Sequence, residues 1–403
     1  MRQRLNEETR VFMSQVARYA AALSAMFIGY GLIQPLLSLF TSGFVGSSYL
    51  LVGVLISTIG LVKAAMGPVS GFLSDRYGRK LMSSLGAVSM AASLFVVTVA
   101  RTSIHLAAAF VLFGLGQAFF FLALMTAMVE AAGPRRRAMA LGLYEGVNGF
   151  SLLIGTYMSG VLTEALGMRT VFGLAAGFSL LSSVVCVFLL RETMANDVEA
   201  RLLDLRGMRG VVSKEYLVAM AGGFMFMYTH NIFTAVIPLY VTMTVNLPQS
   251  FLPTLFVAMS GSTSVGSLIS GPVSDRVGRR LPLAAGLVVA ALSYALLLLF
   301  KTRAMLLVST LALGLGSGFS HPVASAIVAD ISSEETRGKA FGFYRLARDM
   351  GTFAGPAVSG VVSALLGVGS LFTLNIFLTL VAASMAVFLI DETLRRSPTT
   401  PAQ

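Results

Sequence analysis

The residues able to do chemistry are few and stand in unusual places. Lys63, Glu145, Arg345, Arg348 and Asp349 interrupt long apolar stretches, and His230 and His321 stand in others. A charge at the centre of a bilayer costs about 2.5 to 3.5 kcal/mol on insertion scales, so each needs a partner or a water-filled cavity. Histidine titrates near neutral pH, which makes His230 and His321 candidates for carrying protons, with packing histidines as the alternative. Acids and arginines also recur in two short strings, G-F-L-S-D-R-Y-G-R-K at Gly71 to Lys80 and G-P-V-S-D-R-V-G-R-R at Gly271 to Arg280. Asp75 and Asp275 can accept from a helix N-terminus, where amide donors and the positive dipole end are unpaired. Arg76, Arg79, Arg276 and Arg279 can make charge-assisted bonds to Glu130 and Asp330, each of which precedes an arginine, Arg137 or Arg337, by seven residues. One exposed pair contributes under about 1 kcal/mol, so only a network at a closing interface would bias two states. The chemistry is then that of an ionic latch, with a static positive anchor as the alternative.

Composition identifies the elements that must hold these groups. The chain has 403 residues, 56% apolar and 12% charged, with 29 Lys and Arg against 18 Asp and Glu for a net charge of +11. With a mean hydropathy of +0.82, that is more apolar surface than one soluble core buries, which excludes a cytosolic enzyme. The basic excess is read as facing anionic lipid rather than nucleic acid. The one cysteine, Cys186, allows no internal disulfide and no thiolate metal cluster. The motifs H-E-x-x-H, G-x-S-x-G and G-x-x-x-x-G-K-[ST] are missing, so neither an enzyme nor a metal or cofactor is expected.

A hydrocarbon core roughly 30 Å thick takes about 20 apolar residues per helix. Twelve runs fit: residues 16–40, 48–73, 81–99, 106–131, 137–163 and 170–190, then 216–243, 250–274, 281–299, 304–330, 338–365 and 370–390. The first run is too long for a signal-peptide core and is expected to be retained. Of the basic residues, 21 fall in the connections of one side and only Arg101, Arg169, Lys301 and Arg303 in those of the other. The positive-inside rule then places both termini in the cytoplasm of a multi-pass cell-membrane protein.

The halves repeat. Asp75 and Asp275, A-L-G-L-Y at Ala140 and A-F-G-F-Y at Ala340, and V-F-L-L-R-E-T at Val187 and V-F-L-I-D-E-T at Val387 all share an offset of 200 residues. Only Pro35 and Pro238 slip, by three further residues. Parallel repeats of this kind suit alternating access about a midplane site. Between them Arg191 to Glu215 mixes both charges with Val198, Leu202, Leu203 and Leu205, which reads as a short interfacial amphipathic linker.

The two D-R-x-G-R strings resemble the loop signature of the major facilitator superfamily, and the acid-to-arginine spacing after spans four and ten is similar to that family's too. The resemblance covers nearly the whole chain. It implies an all-α membrane protein of twelve transmembrane helices in two pseudo-symmetric six-helix bundles, residues 1–190 and 216–403, joined by the cytoplasmic linker 191–215 and ending in a short cytoplasmic tail. In that family spans two and eleven are neighbours, so Lys63 and Asp349, at matching depths, are expected to pair with Arg348 nearby; a snorkelling Lys63 and an Asp349 that serves only Arg348 are the alternatives. Glu145 and Arg345, equivalent in the repeat, are expected to extend the latch, and Glu145 is a further candidate proton carrier. G-T-F-A-G-P-A-V-S-G at Gly351 to Gly360 is similar to the glycine-proline motif that the family's antiporters carry in span five, whereas span five here has Gly155, Thr156, Ser159 and Gly160 without the proline. Either copy suits a bending seam or plain close packing.

The resemblance also places the substrate among spans one, four, seven and ten. There the chain offers Phe27, Tyr30 and Gln34, then Gln117, Phe119 and Phe120, then Phe226, Met227, His230, Asn231 and Phe233, and finally Ser320 and His321. Ring faces and thioethers adapt to many shapes, so this nearly uncharged set favours a lipophilic or weakly polar ligand. The expected function is that of a monomeric secondary transporter most like the twelve-span drug:proton antiporters, exporting such molecules against inward protons. A carrier for a specific metabolite, lipid or sugar, with or without proton coupling, is the alternative; a channel fits the duplicated latches less well.

Overall fold

Long apolar runs in lipid must satisfy every backbone group internally, and the helix does so within one segment. The computed structural model describes residues 2–133, 136–193, 211–333 and 336–392, and no strand occurs among them. The helices are α1 (Arg2–Ile33), α2 (Leu37–Val45), α3 (Tyr49–Tyr77), α4 (Arg79–Val99), α5 (Ser103–Ala132), α6 (Arg137–Leu166), α7 (Met168–Leu189), α8 (Lys214–Leu239), α9 (Leu252–Val277), α10 (Arg280–Leu299), α11 (Arg303–Ile331), α12 (Arg337–Leu366) and α13 (Val368–Leu389). Eleven helices among the described residues are long and apolar enough to cross a membrane; α6, 30 residues long and interrupted by Glu145 and Glu164, occupies the place of the fifth span. The linker residues Val198 to Leu205 and the tail arginines Arg395 and Arg396 lie outside the described residues.

The sequence marks where helices stop. Ser48, Thr102 and Thr302 each accept an amide of the first turn behind them, the ordinary work of an N-cap. The expected span 16–40 is broken: α1 ends at Ile33 and α2 starts at Leu37, because Pro35 has no N–H to continue the ladder. In the second half α8 runs through Pro238 and ends in a π-helical turn, Tyr240–Thr244, with Thr242 Oγ1 donating to the Pro238 carbonyl at 2.8 Å. The same proline is therefore handled in two ways, at the one place where the repeat slips register.

The described chain forms two compact units. The first comprises Met1–Leu203, Phe233–Val257 and Pro356–Val361, and the second Asp204–Ile232, Ala258–Gly355 and Val362–Gln403. In the first, α4 packs on α5 and α7, and α1 on α6 and α7; in the second, α10 packs on α11 and α13. Small residues set these contacts, since without a hydrophobic drive between helices close backbone approach does the work. Gly86 meets the α5 backbone at Gly116 and Phe120, and 200 residues on Gly286 meets α11 at Gly316 and Ser320. Ser70 and Ser93 donate to the carbonyls of Ala118 and Ala109, both at 2.6 Å. Large apolar side chains point outward at equivalent places, Phe188 at 77% exposure and Phe388 at 79%, as faces meant for lipid do.

Candidate functional site

The D-R-x-G-R string folds the same way in both units. In the first, Arg79 is 6% exposed and is ringed by acceptors: Glu130 at 3.1 Å, Ser74 Oγ at 3.0 Å, and Asp75 one turn back. In the second, Arg279, at 8% exposure, meets Asp330 at 3.0 Å, Ser274 Oγ at 2.8 Å and Asp275 at 2.6 Å. The two exposed arginines of the strings take no such part: Arg76 lies over the Tyr77 ring at 5.4 Å, and Arg276 faces outward. Arg337 is exposed at the start of α12, and the side chain of Arg137 lies outside the described residues.

One further acid completes each network, Glu192 in the first and Glu392 in the second, and sequence reasoning missed both. Glu192 accepts from the amides of Arg79 at 2.8 Å and Lys80 at 3.1 Å, and Glu392 from the amide of Arg279 at 2.8 Å. They cap α4 and α10, where unpaired amides and the dipole favour a carboxylate. The glycine before each helix makes this possible: Gly78 has φ +100° and Gly278 φ +96°, and a methyl group on either would strike the capping carboxylate. Thr193 ties the first network together by donating to Glu130 at 2.7 Å. The signal in the sequence was the repeated E-T after V-F-L-L-R and V-F-L-I-D, present at the same offset as the D-R-x-G-R strings.

In the first unit α1 and α5 carry a run of rings. Phe27 stacks on Phe121 at 5.0 Å and meets Tyr30 edge-on at 6.5 Å, and Tyr30 stacks on Phe113 at 6.0 Å. The Tyr30 hydroxyl and the Gln117 side chain are hydrogen-bonded, and Gln34 is buried just past the end of α1. The expected residues do not all belong to this run. Phe120 is fully buried against α4, and its neighbour Phe121 is the ring that reaches Phe27; Phe119 is half-buried. Phe233, also in the first unit, packs into the core on Phe256 at 4.9 Å.

The second unit brings α8, α11 and α12 together around Phe226. His321 lies against it with ring centroids 4.4 Å apart, His230 at 6.4 Å, and the Arg348 guanidinium sits over its face at 5.7 Å. Met227 is half-buried beside Gly351. Two expected polar groups bond within their own helices: Asn231 donates to the Met227 carbonyl at 2.8 Å, and Ser320 to Gly316 at 3.0 Å. Pro322 cannot donate to the Gly318 carbonyl, which Ser267 of α9 takes at 3.2 Å.

The glycine-rich stretches form tight seams. Gly155 of α6 lies against the Ile28 carbonyl of α1 and Gly31, while Gly351 and Gly355 of α12 lie against the α8 backbone at Phe224 and Tyr228. Gly360 meets Gly53 and Tyr49 of α3 within the first unit. Of the buried charges, Lys63 is half-buried in the first unit, and Asp349 buried and Arg345 half-buried in the second. Glu145 is exposed and accepts from Asn148 at 3.4 Å. Among the described residues no three His, Cys, Asp or Glu side chains gather where a metal ion could sit.

The solved structures that this chain resembles include that of a mutant of the nucleoside transporter NupG, with a TM-score of 0.76 at 16% identity over 92% of this chain and 100% of that one. Another is a bacterial homolog of the human lysosomal transporter Spinster, with a TM-score of 0.76 at 14% identity over 97% and 98% of the two chains. Among curated proteins, the multidrug resistance protein MdtG of Dickeya zeae (strain Ech586) is 29% identical over 91% of this chain and 92% of its own. The multi-drug resistance efflux pump PmrA homolog of Lactococcus lactis subsp. lactis (strain IL1403) is 24% identical over 85% and 86%. The family model described as Major Facilitator Superfamily matches residues 19–261 and again 219–403, one match over each repeat. A helical chain built from two copies of one D-R-x-G-R network, with both copies matched by that model, belongs to the major facilitator superfamily.

Proposed function

We propose that the chain is a secondary transporter that works by alternating access and exports lipophilic or weakly polar small molecules across the cell membrane in exchange for protons. One chain is the working unit, and both termini lie in the cytoplasm. The observation that carries this reading is the ring run Phe113, Tyr30, Phe27 and Phe121, whose polar neighbour on α5 is Gln117. Phe27 and Phe113 back the run from the core, and the half-buried Tyr30 and Phe121 offer ring faces that bind by area and shape and not by charge, which suits ligands of varied form. The relatives named as multidrug resistance proteins support the same substrate class.

In this reading the Arg79 and Arg279 networks stiffen the cytoplasmic end of each bundle so that it moves as a body, and Arg137 and Arg337 add charge there. His230, His321 and Glu145 are the candidate proton carriers. The test is exchange in proteoliposomes under an imposed pH gradient, with a lipophilic cation, a neutral drug and a sugar as competing probes. Saturable uptake of the first two that collapses with the gradient is expected. Uptake of the sugar alone, or flux that neither saturates nor follows the gradient, would overturn the proposal.

A further inference from the structure

Three polar atoms on α11 and α12 of the second unit are buried without partners, two of them in side chains that lie on Phe226. Arg348 Nε, His321 Nε2 and Tyr344 Oη are each buried, and none has a hydrogen-bond partner among the described residues. They belong together. His321 and Arg348 both lie on the Phe226 ring. Tyr344 and Arg348 are one turn apart on α12, hence on one face. Gly223 of α8 lets them close in, because a methyl group there would overlap the Tyr344 ring and press on Arg348 Cγ. Asp349 falls about 100° further round the helix, on the face it shares with Arg345.

A buried donor or acceptor left unmade costs about 1 to 3 kcal/mol, more for a charged group. Three such atoms on two neighbouring helices of an apolar bundle need an explanation outside the unit's own packing. We propose that Arg348, His321 and Tyr344 receive the anionic oxygen head of an amphipathic ligand, a carboxylate or a phosphate monoester, while Phe226 supports the start of its apolar body. The guanidinium offers a planar fork matched to such a head, and the hydroxyl and imidazole add two hydrogen bonds from the sides. This rests on the transport reading and extends it: organic anions with an apolar body join the molecules carried.

The test is equilibrium binding to the full chain in phosphatidylcholine vesicles at mildly alkaline pH. The probes are radiolabelled dodecanoate, dodecyl phosphate, dodecyltrimethylammonium and neutral 1-dodecylglycerol. The two anions are expected to bind about tenfold more tightly than the cation, the effect of one charge-assisted contact. Arg348→Gln is expected to erase that preference, Arg348→Lys to keep part of it, and Arg303→Gln, at the exposed start of α11, to leave it intact. No anion preference in the unaltered chain, or a preference that survives Arg348→Gln, overturns the inference. Adding phosphatidylglycerol separates two sources of the head: displacement of dodecanoate assigns it to a bilayer lipid, and no displacement to the free amphiphile. Counterflow of 1-dodecylglycerol is measured alongside. If it occurs without any anion preference, the inference falls and the transport reading stands; if no probe exchanges, the transport reading itself falls.

Discussion

The Glu192 carboxylate accepts the Arg79 amide at 2.8 Å across 113 residues of chain, and Glu392 does the same to Arg279 at the same distance and separation. The end of the last span in each repeat thereby caps the helix that begins after D-R-x-G. Side chain and backbone of one arginine are both engaged: the guanidinium with Glu130 or Asp330, the amide with the capping glutamate. Each network therefore joins three consecutive helices, α3 to α5 or α9 to α11, to the chain that follows the last span of its repeat.

Removing that cap lowers stability. Glu192→Ala and Glu392→Ala are each expected to destabilise by about 1 to 2 kcal/mol, and the corresponding Gln variants by less, since Gln can still accept but carries no charge for the dipole. Thermal unfolding of purified protein in detergent reads this, and unchanged midpoints in both Ala variants would remove the capping role.

Glycine is required at two positions and dispensable at two others of the same type. Gly78→Ala and Gly278→Ala force a side chain into the left-handed region and into the cap, for an expected loss of about 2 kcal/mol or more. Gly142 and Gly338 lie inside helices with open space around them, so Gly142→Ala and Gly338→Ala are expected to stabilise by up to about 1 kcal/mol. Opposite signs in one unfolding series are the check.

Arg79 has more than one acid, which makes its losses non-additive. Asp75→Asn and Glu130→Gln should each cost about 1 kcal/mol, because the remaining acid and Ser74 still serve the guanidinium; the double variant should exceed the sum by about 1 to 2 kcal/mol. A strictly additive cycle would show that the two acids act separately.

The seam of α3 with α12 in the first unit is tight enough to read by function. Gly53→Ala would press a methyl group on the Pro356 carbonyl and the Gly360 backbone, and is expected to slow counterflow about tenfold while the protein still folds. Equal rates in Gly53→Ala and the unaltered chain would show that the seam needs no such closeness.

Lys214 lies 2.6 Å from Asp391, and the hydrogen bond from its ammonium holds the Asp391 carboxyl below the ordinary value of 3.8. A depressed carboxyl favours folding above its unfolded value and loses that contribution as pH falls through the folded one. Unfolding midpoints of the unaltered chain and Asp391→Asn should therefore differ near neutrality and converge below pH 3.8. The pair is exposed, so the difference is small; a gap that widens in acid would reverse the assignment.

What the sequence by itself determined is whatever depends on composition and spacing. Run lengths counted the spans, basic residues ranked the connections, and a constant offset revealed two copies of one unit, each with two arginines and one acid, Glu130 or Asp330, to pair; that the inner arginine, Arg79 or Arg279, makes the pair was left to the structure. The bilayer makes this legible, because a helix is nearly the only spanning solution for an isolated apolar run. What the tertiary structure decided is helix rotation and long-range company. Among Phe119, Phe120 and Phe121, only the rotation of α5 chooses Phe121 to face Phe27 and turns Phe120 into the core, since successive residues point about 100° apart. Ser320 and Asn231 looked like ligand groups by type, yet local geometry lets each bond its own helix. Glu192 and Glu392 cap helices more than a hundred residues away, and the meeting of Arg348, His321 and Phe226 needs three helices at once. Contacts of that kind arise from packing, and no local pattern of residues encodes them.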